Sequence, residues 1–249
     1  TVGRGALGAL AEALAAAGGA KRLLAISDAA TRGAAWEAIA SRLRPLGVAV
    51  TEVVLPPGPH GPPLADEANR QRVQDAVRPD TDAVLAVGSG TINDLAKIAS
   101  RVCGKPYLVC ATAPSMNGYP STNASLLEAG LKVTRPAQGP AAILADLAIL
   151  CAAPLPMIRA GLGDLLSQRT ALVDWRLSSL VHGTVYCGAV ADLVATPIQW
   201  VVRMADALAR REESAVGALI EALILSGFTM VMAERSSPAS GAEHLISHY

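Results

Sequence analysis

Five short runs, mostly apolar or β-branched, constrain the fold of this chain more than any other feature. They are Arg22 to Ser27, Val48 to Leu55, Asp82 to Gly88, Tyr107 to Thr112 and Ala142 to Leu150. None alternates polar with apolar residues, so each reads as a strand covered on both faces. The segments between them read as helices. Ala6 to Ala17 is rich in Ala and Leu and ends at Gly18 and Gly19, Thr31 opens a second segment that closes before Gly47, and Leu64 to Val77 forms a third. The proline-rich stretch Pro56 to Pro63 must be a loop. Apolar strands alternating with helices predict an α/β domain with a parallel sheet. From about Pro154 the pattern becomes helical throughout. The expected division is therefore an α/β domain over 1–152 and an all-α domain over 153–249.

Composition narrows the function classes. Apolar residues make up 51% of the chain and charged residues 17%, which excludes a disordered segment. The 21 basic and 21 acidic residues cancel, and there is a single Phe. The chain therefore carries neither the basic footprint nor the stacking rings of a nucleic-acid binder. Cys103, Cys110, Cys151 and Cys187 form no C-x-x-C pair, so they are read as buried free thiols in a reducing compartment, the cytoplasm. The N-terminal residues show no basic-then-apolar leader pattern. The apolar tract Gly217 to Met232 contains Glu221 and several small residues, and is read as a buried helix rather than a membrane insertion.

The sharpest motif is Val87-Gly-Ser-Gly-Thr-Ile-Asn-Asp-Leu-Ala-Lys97, in which a buried strand runs through Gly88, Ser89 and Gly90 straight into a helix. Unpaired N–H groups at a helix start, with the helix dipole behind them, suit a pyrophosphate. Thr91 can cap this helix or donate to a phosphate oxygen. The spacing is not G-x-G-x-x-G, because Asn93 replaces the third glycine. A second polar loop, Ala111 to Ser125, follows the next strand, and ligands of open parallel sheets bind beyond the carboxyl ends of strands. Asp28, at the end of the first strand, can accept from a ribose hydroxyl, which favours NAD over NADP. It reads equally well as a helix-start aspartate.

Metal donors lie further along. Asp164 follows the Gly-rich Ala160-Gly-Leu-Gly163, read as a turn, and is expected to open a helix, and His244 and His248 stand four residues apart, on one face if helical. Asp and His donors suit Zn²⁺, Fe²⁺ or Ni²⁺. Glu243 precedes the first histidine, so the metalloprotease order H-E-x-x-H is not met. His60 and His182 are read as surface or satisfied core residues.

The stretch Gly88 to Lys97 resembles the glycine-rich signature G-G/S-G-x-x-x-D-x-A-K of the iron-containing alcohol dehydrogenase and dehydroquinate synthase-like superfamily. Ala111 to Ser125, Gly161 to Asp174 and Ser240 to His248 resemble its glycerol-1-phosphate dehydrogenase branch more narrowly, in family order. The resemblance implies a Rossmann-like N-terminal domain followed by a helical domain, the dehydroquinate synthase-like fold, here incomplete. It implies an NAD(P)-dependent, metal-dependent oxidoreductase interconverting dihydroxyacetone phosphate and sn-glycerol 1-phosphate or a related polyol phosphate, as phospholipid metabolism requires. It also implies a homo-oligomer, with Zn²⁺ first and Ni²⁺ or Fe²⁺ as the other candidate cations. By position, Gly88, Ser89, Gly90, Thr91 and Ile92 would contact the pyrophosphate, and Thr112, Ser115 and Ser121 the nicotinamide side. Asp164 and His244 would bind the metal, with Asp164 and His248 the catalytic pair and Asn117, Asp164 and His248 on the substrate. Two departures stand out. Asn117 replaces an aspartate of the pattern, and the family's third metal-binding histidine falls after the Ser240 to His244 block, beyond Tyr249. The alternatives are a dehydroquinate synthase-like lyase and a nucleotide-binding homologue without turnover.

Overall fold

The computed structural model describes residues 1–59 and 61–247. The chain forms two compact units. One comprises Thr1–Ala113 with Thr122–Ala152, the other Pro114–Ser121 with Ala153–Tyr249.

The first unit is built on a six-stranded parallel sheet. In chain order its strands are β1 (Val2–Gly3), β2 (Arg22–Asp28), β3 (Ala49–Leu55), β4 (Ala83–Gly88), β5 (Tyr107–Ala111) and, after an intervening hairpin, β8 (Ala142–Asp146). They lie side by side in the order β1-β8-β5-β4-β2-β3, every pair parallel. Every residue of β4 and β5 is buried, which is why these segments carry no polar alternation. The helices α1 (Leu10–Ala16), α2 (Ala29–Leu43), α3 (Glu67–Ala76), α4 (Gly90–Cys103) and α5 (Leu147–Ala152) belong to the same unit. The core under α1 and α2 is almost wholly aliphatic, with Leu10, Leu14, Ile39 and Leu43 against Leu23, Leu85 and Leu108. The chain visits β3 on one side of β2 and then returns to β4 on the other. The strand order therefore reverses between β2 and β4, the point where such sheets open a crevice at their carboxyl edge.

Several boundaries differ from the sequence expectation, each for a local reason. Ala6–Ala9 is a turn of 3-10 helix before α1. The run Ala142 to Leu150 stops being a strand at Asp146, whose carboxylate accepts from Ala148 N and starts α5. The same buried carboxylate accepts from Gly5 N and Leu7 N and so ties the amino-terminal segment to the sheet. Thr31 is not the cap of α2. Asp28 is, accepting from Thr31 N at 2.7 Å while Thr31 Oγ1 accepts from Asp28 N at 3.0 Å. The hairpin β6 (Asn123–Glu128) and β7 (Leu131–Pro136) has no counterpart in the sequence reading. Its turn places Ala129 at φ 50° and Gly130 at φ 80°, the conformation of a two-residue hairpin turn, and alanine gives little sequence sign of it. Among the cysteines, which are all free, only Cys110 is buried, and burial pushes its thiol up to about 12. Cys103 and Cys151 are half-buried and Cys187 is exposed.

The hairpin is fastened to α4 by two charged residues of the D-x-A-K signature. Lys97, fully buried, donates from Nζ to Asn123 O at 3.1 Å, and Asp94 accepts from Ser125 N at 3.1 Å. Their charges sit 4.0 Å apart. Burial pushes the Asp94 carboxyl up to about 6, against the pull of Lys97, Ser125 N–H and Lys132. Burial likewise pushes the Lys97 ammonium down to about 8, against the pull of Asp94.

The second unit is helical: α6 (Leu155–His182), α7 (Gly188–Arg203), α8 (Ala205–Ala209), α9 (Glu213–Met232) and α10 (Ala242–Ser247). Helix α9 is long and apolar enough to cross a membrane, but more than half of it is buried inside the protein, as expected of a core helix. Trp175 of α6 packs on Tyr186 at 4.7 Å and donates to Val185 O. Pro114–Ser121, which the sequence reading places in 1–152, packs with this unit instead. Two glycines permit it. A methyl group at Gly161 of α6 would lie 1.9 Å from Pro114 O, and one at Gly227 of α9 would lie 2.2 Å from Asn117 O.

Two outcomes follow from this packing. Gly161→Ala should lose about 1–3 kcal/mol in urea unfolding. An ordinary mid-helix Gly→Ala change would instead gain up to about 1 kcal/mol, so the sign alone decides. Stability should also depend on pH through Asp94 and Lys97. A group with a raised carboxyl pKa loses stability as pH climbs from its unfolded value to its folded one, and a depressed ammonium loses it as pH falls through the corresponding interval. Relative to Asp94→Asn/Lys97→Met, the wild-type unfolding free energy should fall between pH 3.8 and about 6, stay lowest to about 8, and recover towards 10.5.

Candidate functional site

In the α/β unit, the carboxyl edge at the strand-order reversal gathers Asp28, Gly88 to Ile92 and Thr112. The register sets Ile26 opposite Ala86, so Asp28 and Gly88, each two residues further on, end their strands at the same edge. Gly88 lies opposite Ala111, and Thr112 N donates to Gly88 O at 3.2 Å.

Among the helices that start at this edge of the unit or near it, α2, α3 and α4 differ in one respect. Asp28 caps α2 and Asp66 caps α3, each by accepting from a backbone N–H of the first turn. Ser89 makes no such bond to α4. Among the described residues, the N-cap side chain gives the first N–H groups of α4 no acceptor, and helix geometry gives them no intrahelical one. A 14-residue helix concentrates its positive dipole end there. The two glycines of the turn do different jobs. A methyl group at Gly88 would lie 2.6 Å from Ile92 Cβ, so this glycine lets Ile92 close over the strand. Gly90 faces open space and leaves the N–H groups accessible. Ile92 itself is buried, so only its backbone can reach an anion. This uncapped, glycine-flanked start fits a dinucleotide pyrophosphate. One Asp28 oxygen is taken up by the α2 cap.

In the helical unit, Asn117 meets Asp164, which lies inside α6 rather than at a helix start, because the chain stays helical through Gly161 and Gly163. Asn117 N donates to Asp164 Oδ2 at 2.8 Å, and Asn117 Nδ2 donates to Ser226 Oγ at 3.2 Å. The loop that carries Asn117 is thus pinned to α6 and α9 at once, and the Asp164 carboxylate is held in one orientation. Ser115 is half-buried in the same loop, and Ser121 is buried with Oγ donating to Gly118 O. His244 lies on α10, with Nδ1 3.3 Å from Glu243 Oε1. Glu243 Oε1 also accepts from Gly241 N, and Asp174 of α6 accepts from Ala242 N at 2.8 Å, docking this short helix on α6. His248 and His60 lie outside the described residues, and His182 is exposed at the end of α6. A carboxylate and an imidazole are the right kinds of donor for a borderline divalent cation. Among the described residues, no three His, Cys, Asp or Glu side chains come together as a ligand set.

The sequence reading missed Ser226, Asp174 and Glu243. Ser226 carries no local signal, because its partner lies 109 residues away. Ser240 followed three residues later by Glu243 does have the spacing of a helix-start pair, and it could have been read that way.

Comparison with known proteins follows the same outline. A sequence model of the family described as iron-containing alcohol dehydrogenase matches residues 1–154. The glycerol-1-phosphate dehydrogenase, NAD(P)+, of Halalkalibacterium halodurans is 39% identical over 224 residues, covering 90% of this chain and 56% of the relative. That of Thermococcus kodakarensis is 40% identical over 165 residues, covering 66% of this chain and 47% of the relative. The chain thus spans about half the length of the curated relatives it matches. Among solved structures, glycerol dehydrogenase from Schizosaccharomyces pombe superposes with a TM-score of 0.81 at 19% identity, covering 100% of this chain and 63% of the other. A probable glycerol dehydrogenase from Sinorhizobium meliloti 1021 gives 0.77 at 23% identity, covering 99% and 67%. These two likenesses concern the fold. With the family signature on α4 and the family model spanning the α/β unit, the chain belongs to the iron-containing alcohol dehydrogenase family.

Proposed function

We propose that this protein takes part in the NAD(P)-dependent, metal-dependent interconversion of dihydroxyacetone phosphate and sn-glycerol 1-phosphate. The observation that carries the reading is the uncapped start of α4 at Gly88-Ser89-Gly90, an anion site where the sheet order reverses. The identity to named glycerol-1-phosphate dehydrogenases, which extends through both units, supports the substrate class.

In the reducing direction, a hydride passes to the ketone carbon and a proton to the ketone oxygen, leaving a secondary alcohol and oxidised nicotinamide. When bound, the nicotinamide supplies the hydride, and a divalent cation held by Asp164 and His244 polarises the ketone. The chain's own residues bind and orient. The N–H groups of Gly90, Thr91 and Ile92 hold the pyrophosphate. Thr112, Ser115 and Ser121 are assigned to the nicotinamide side. The free oxygen of Asp28 is assigned to a ribose hydroxyl, which favours NAD over NADP. Asn117 fixes the Asp164 carboxylate through its backbone N–H and, being a neutral amide, presents a donor and an acceptor to substrate but no base. His248 is assigned to the substrate and to proton delivery. Zn²⁺ is the first candidate cation, ahead of Ni²⁺ and Fe²⁺. The protein is read as cytoplasmic and homo-oligomeric. Exposed Val173, Leu177 and Leu180 recur at helical spacing on α6 and offer an apolar surface for a second copy.

The direct test is oxidation of NADH or NADPH by dihydroxyacetone phosphate with Zn²⁺-loaded protein, followed by the loss of reduced-nicotinamide absorbance. Tight nucleotide binding with no turnover would instead support the non-catalytic homologue. Gly90→Asp places a negative charge in open space at the anion site. It should weaken NADH binding by on the order of tenfold or more while leaving the melting temperature within about 2 °C. Asp164→Asn should weaken Zn²⁺ binding by more than about 100-fold in a chelator competition while NADH affinity stays unchanged.

A further inference from the structure

One buried group of the helical unit has no role in the reading above. Gln168 of α6 is completely buried, and among the described residues neither its amide nitrogen nor its amide oxygen has a hydrogen-bond partner. Among the described residues of this unit, the other fully buried polar side chains are satisfied, and the one further buried polar atom without a partner is Glu243 Oε2, whose carboxylate is held through Oε1. Ser121 donates to Gly118 O, Thr229 donates to Ser226 O, and Ser226 accepts from Asn117. A bundle that pairs its hydroxyls this carefully has no packing reason to keep an unpaired carboxamide, because an apolar side chain of equal volume would avoid the desolvation cost.

The position of Gln168 gives the reason. It follows Asp164 by four residues in an unbroken helix, so the two side chains share one face about 6 Å apart along the axis. Asp164 is the carboxylate fixed by Asn117. A carboxamide is uncharged, with one acceptor oxygen and two N–H donors. It matches a hydroxyl group, which both donates and accepts, and it supplies no charge for a phosphate or a cation.

We propose that Gln168 is a ligand-binding residue that hydrogen-bonds a hydroxyl of the polyol held beside Asp164, and that it remains unpaired in the protein for that purpose. The proposal rests on the polyol reading above. It makes ligand-free stability and ligand affinity move in opposite directions when the amide is removed.

The test uses Gln168→Met, which keeps volume and removes both polar groups, with Gln168→Leu as a second apolar replacement. Melting temperature is measured without ligand, and calorimetric dissociation constants are measured for NADH and for glycerol 1-phosphate in the NADH- and Zn²⁺-loaded protein, in which the alcohol cannot be oxidised. Free glycerol serves as a second arm that separates the hydroxyls from the phosphate. At least one variant should melt about 2–5 °C higher than wild type. It should bind glycerol 1-phosphate and glycerol about five- to tenfold more weakly, and NADH unchanged. If both variants melt lower, Gln168 is a structural residue and the proposal fails. If they bind both polyols as wild type does, the proposal fails while the polyol reading stands. If wild type binds neither polyol, the polyol reading fails and this proposal fails with it.

Discussion

The helical unit depends on one close approach of backbone to backbone. Gly161 and Gly227 lack the methyl groups that would collide with Pro114 O and Asn117 O. The segment Pro114–Ser121 can therefore lie against α6 and α9 and deliver Asn117 to Asp164 and Ser226. Protein interiors are packed too tightly to absorb an overlap of this size without moving the loop. The orientation of Asp164, and with it the proposed metal and substrate side, thus rests on two missing side chains some 66 residues apart along the chain (161 to 227).

The α/β unit solves a different problem. Its central strands β4 and β5 are buried and aliphatic, whereas the edge strand β3 is mostly half-buried or exposed and carries Thr51 and Glu52 mid-strand, which departs from the expectation of a strand covered on both faces. At the strand ends the protein chooses, helix by helix, what satisfies the first turn. Aspartates close α2 and α3, whereas the N-cap side chain of α4 makes no such bond. The same helix carries Asp94 and Lys97 into a buried environment to hold the β6–β7 hairpin. That arrangement costs most near neutral pH, where both groups are charged in the folded state. The signature residues of α4 thus divide into an uncapped start, proposed to face the dinucleotide, and a hairpin-fastening middle.

Much of this was legible in the sequence, because it is local. Mostly apolar runs announce strands, and Val87 to Lys97 shows strand, glycine turn and helix in eleven consecutive residues. Asp28 could be read two ways, and the structure shows the helix cap directly. Other features leave no such trace. The hairpin turn uses Ala129 at positive φ, where sequence rules look for Asn or Gly. The run from Ala142 to Leu150 stays apolar through the change from strand to helix, and only Asp146 marks the place.

By itself, the sequence determined the parallel sheet, the glycine turn from strand into helix and the family, since each is written in contiguous residues with a definite period or motif. Only the tertiary structure decided which unit owns Pro114–Ser121, what holds Asp164, and that Gln168 is buried without a partner. Those facts depend on pairs of residues far apart in the chain, whose meeting is set by packing rather than by any local preference. Of the opening motif, the sequence supplied the glycines. The structure showed that Gly88 serves Ile92, and that Gly90 keeps the helix start open.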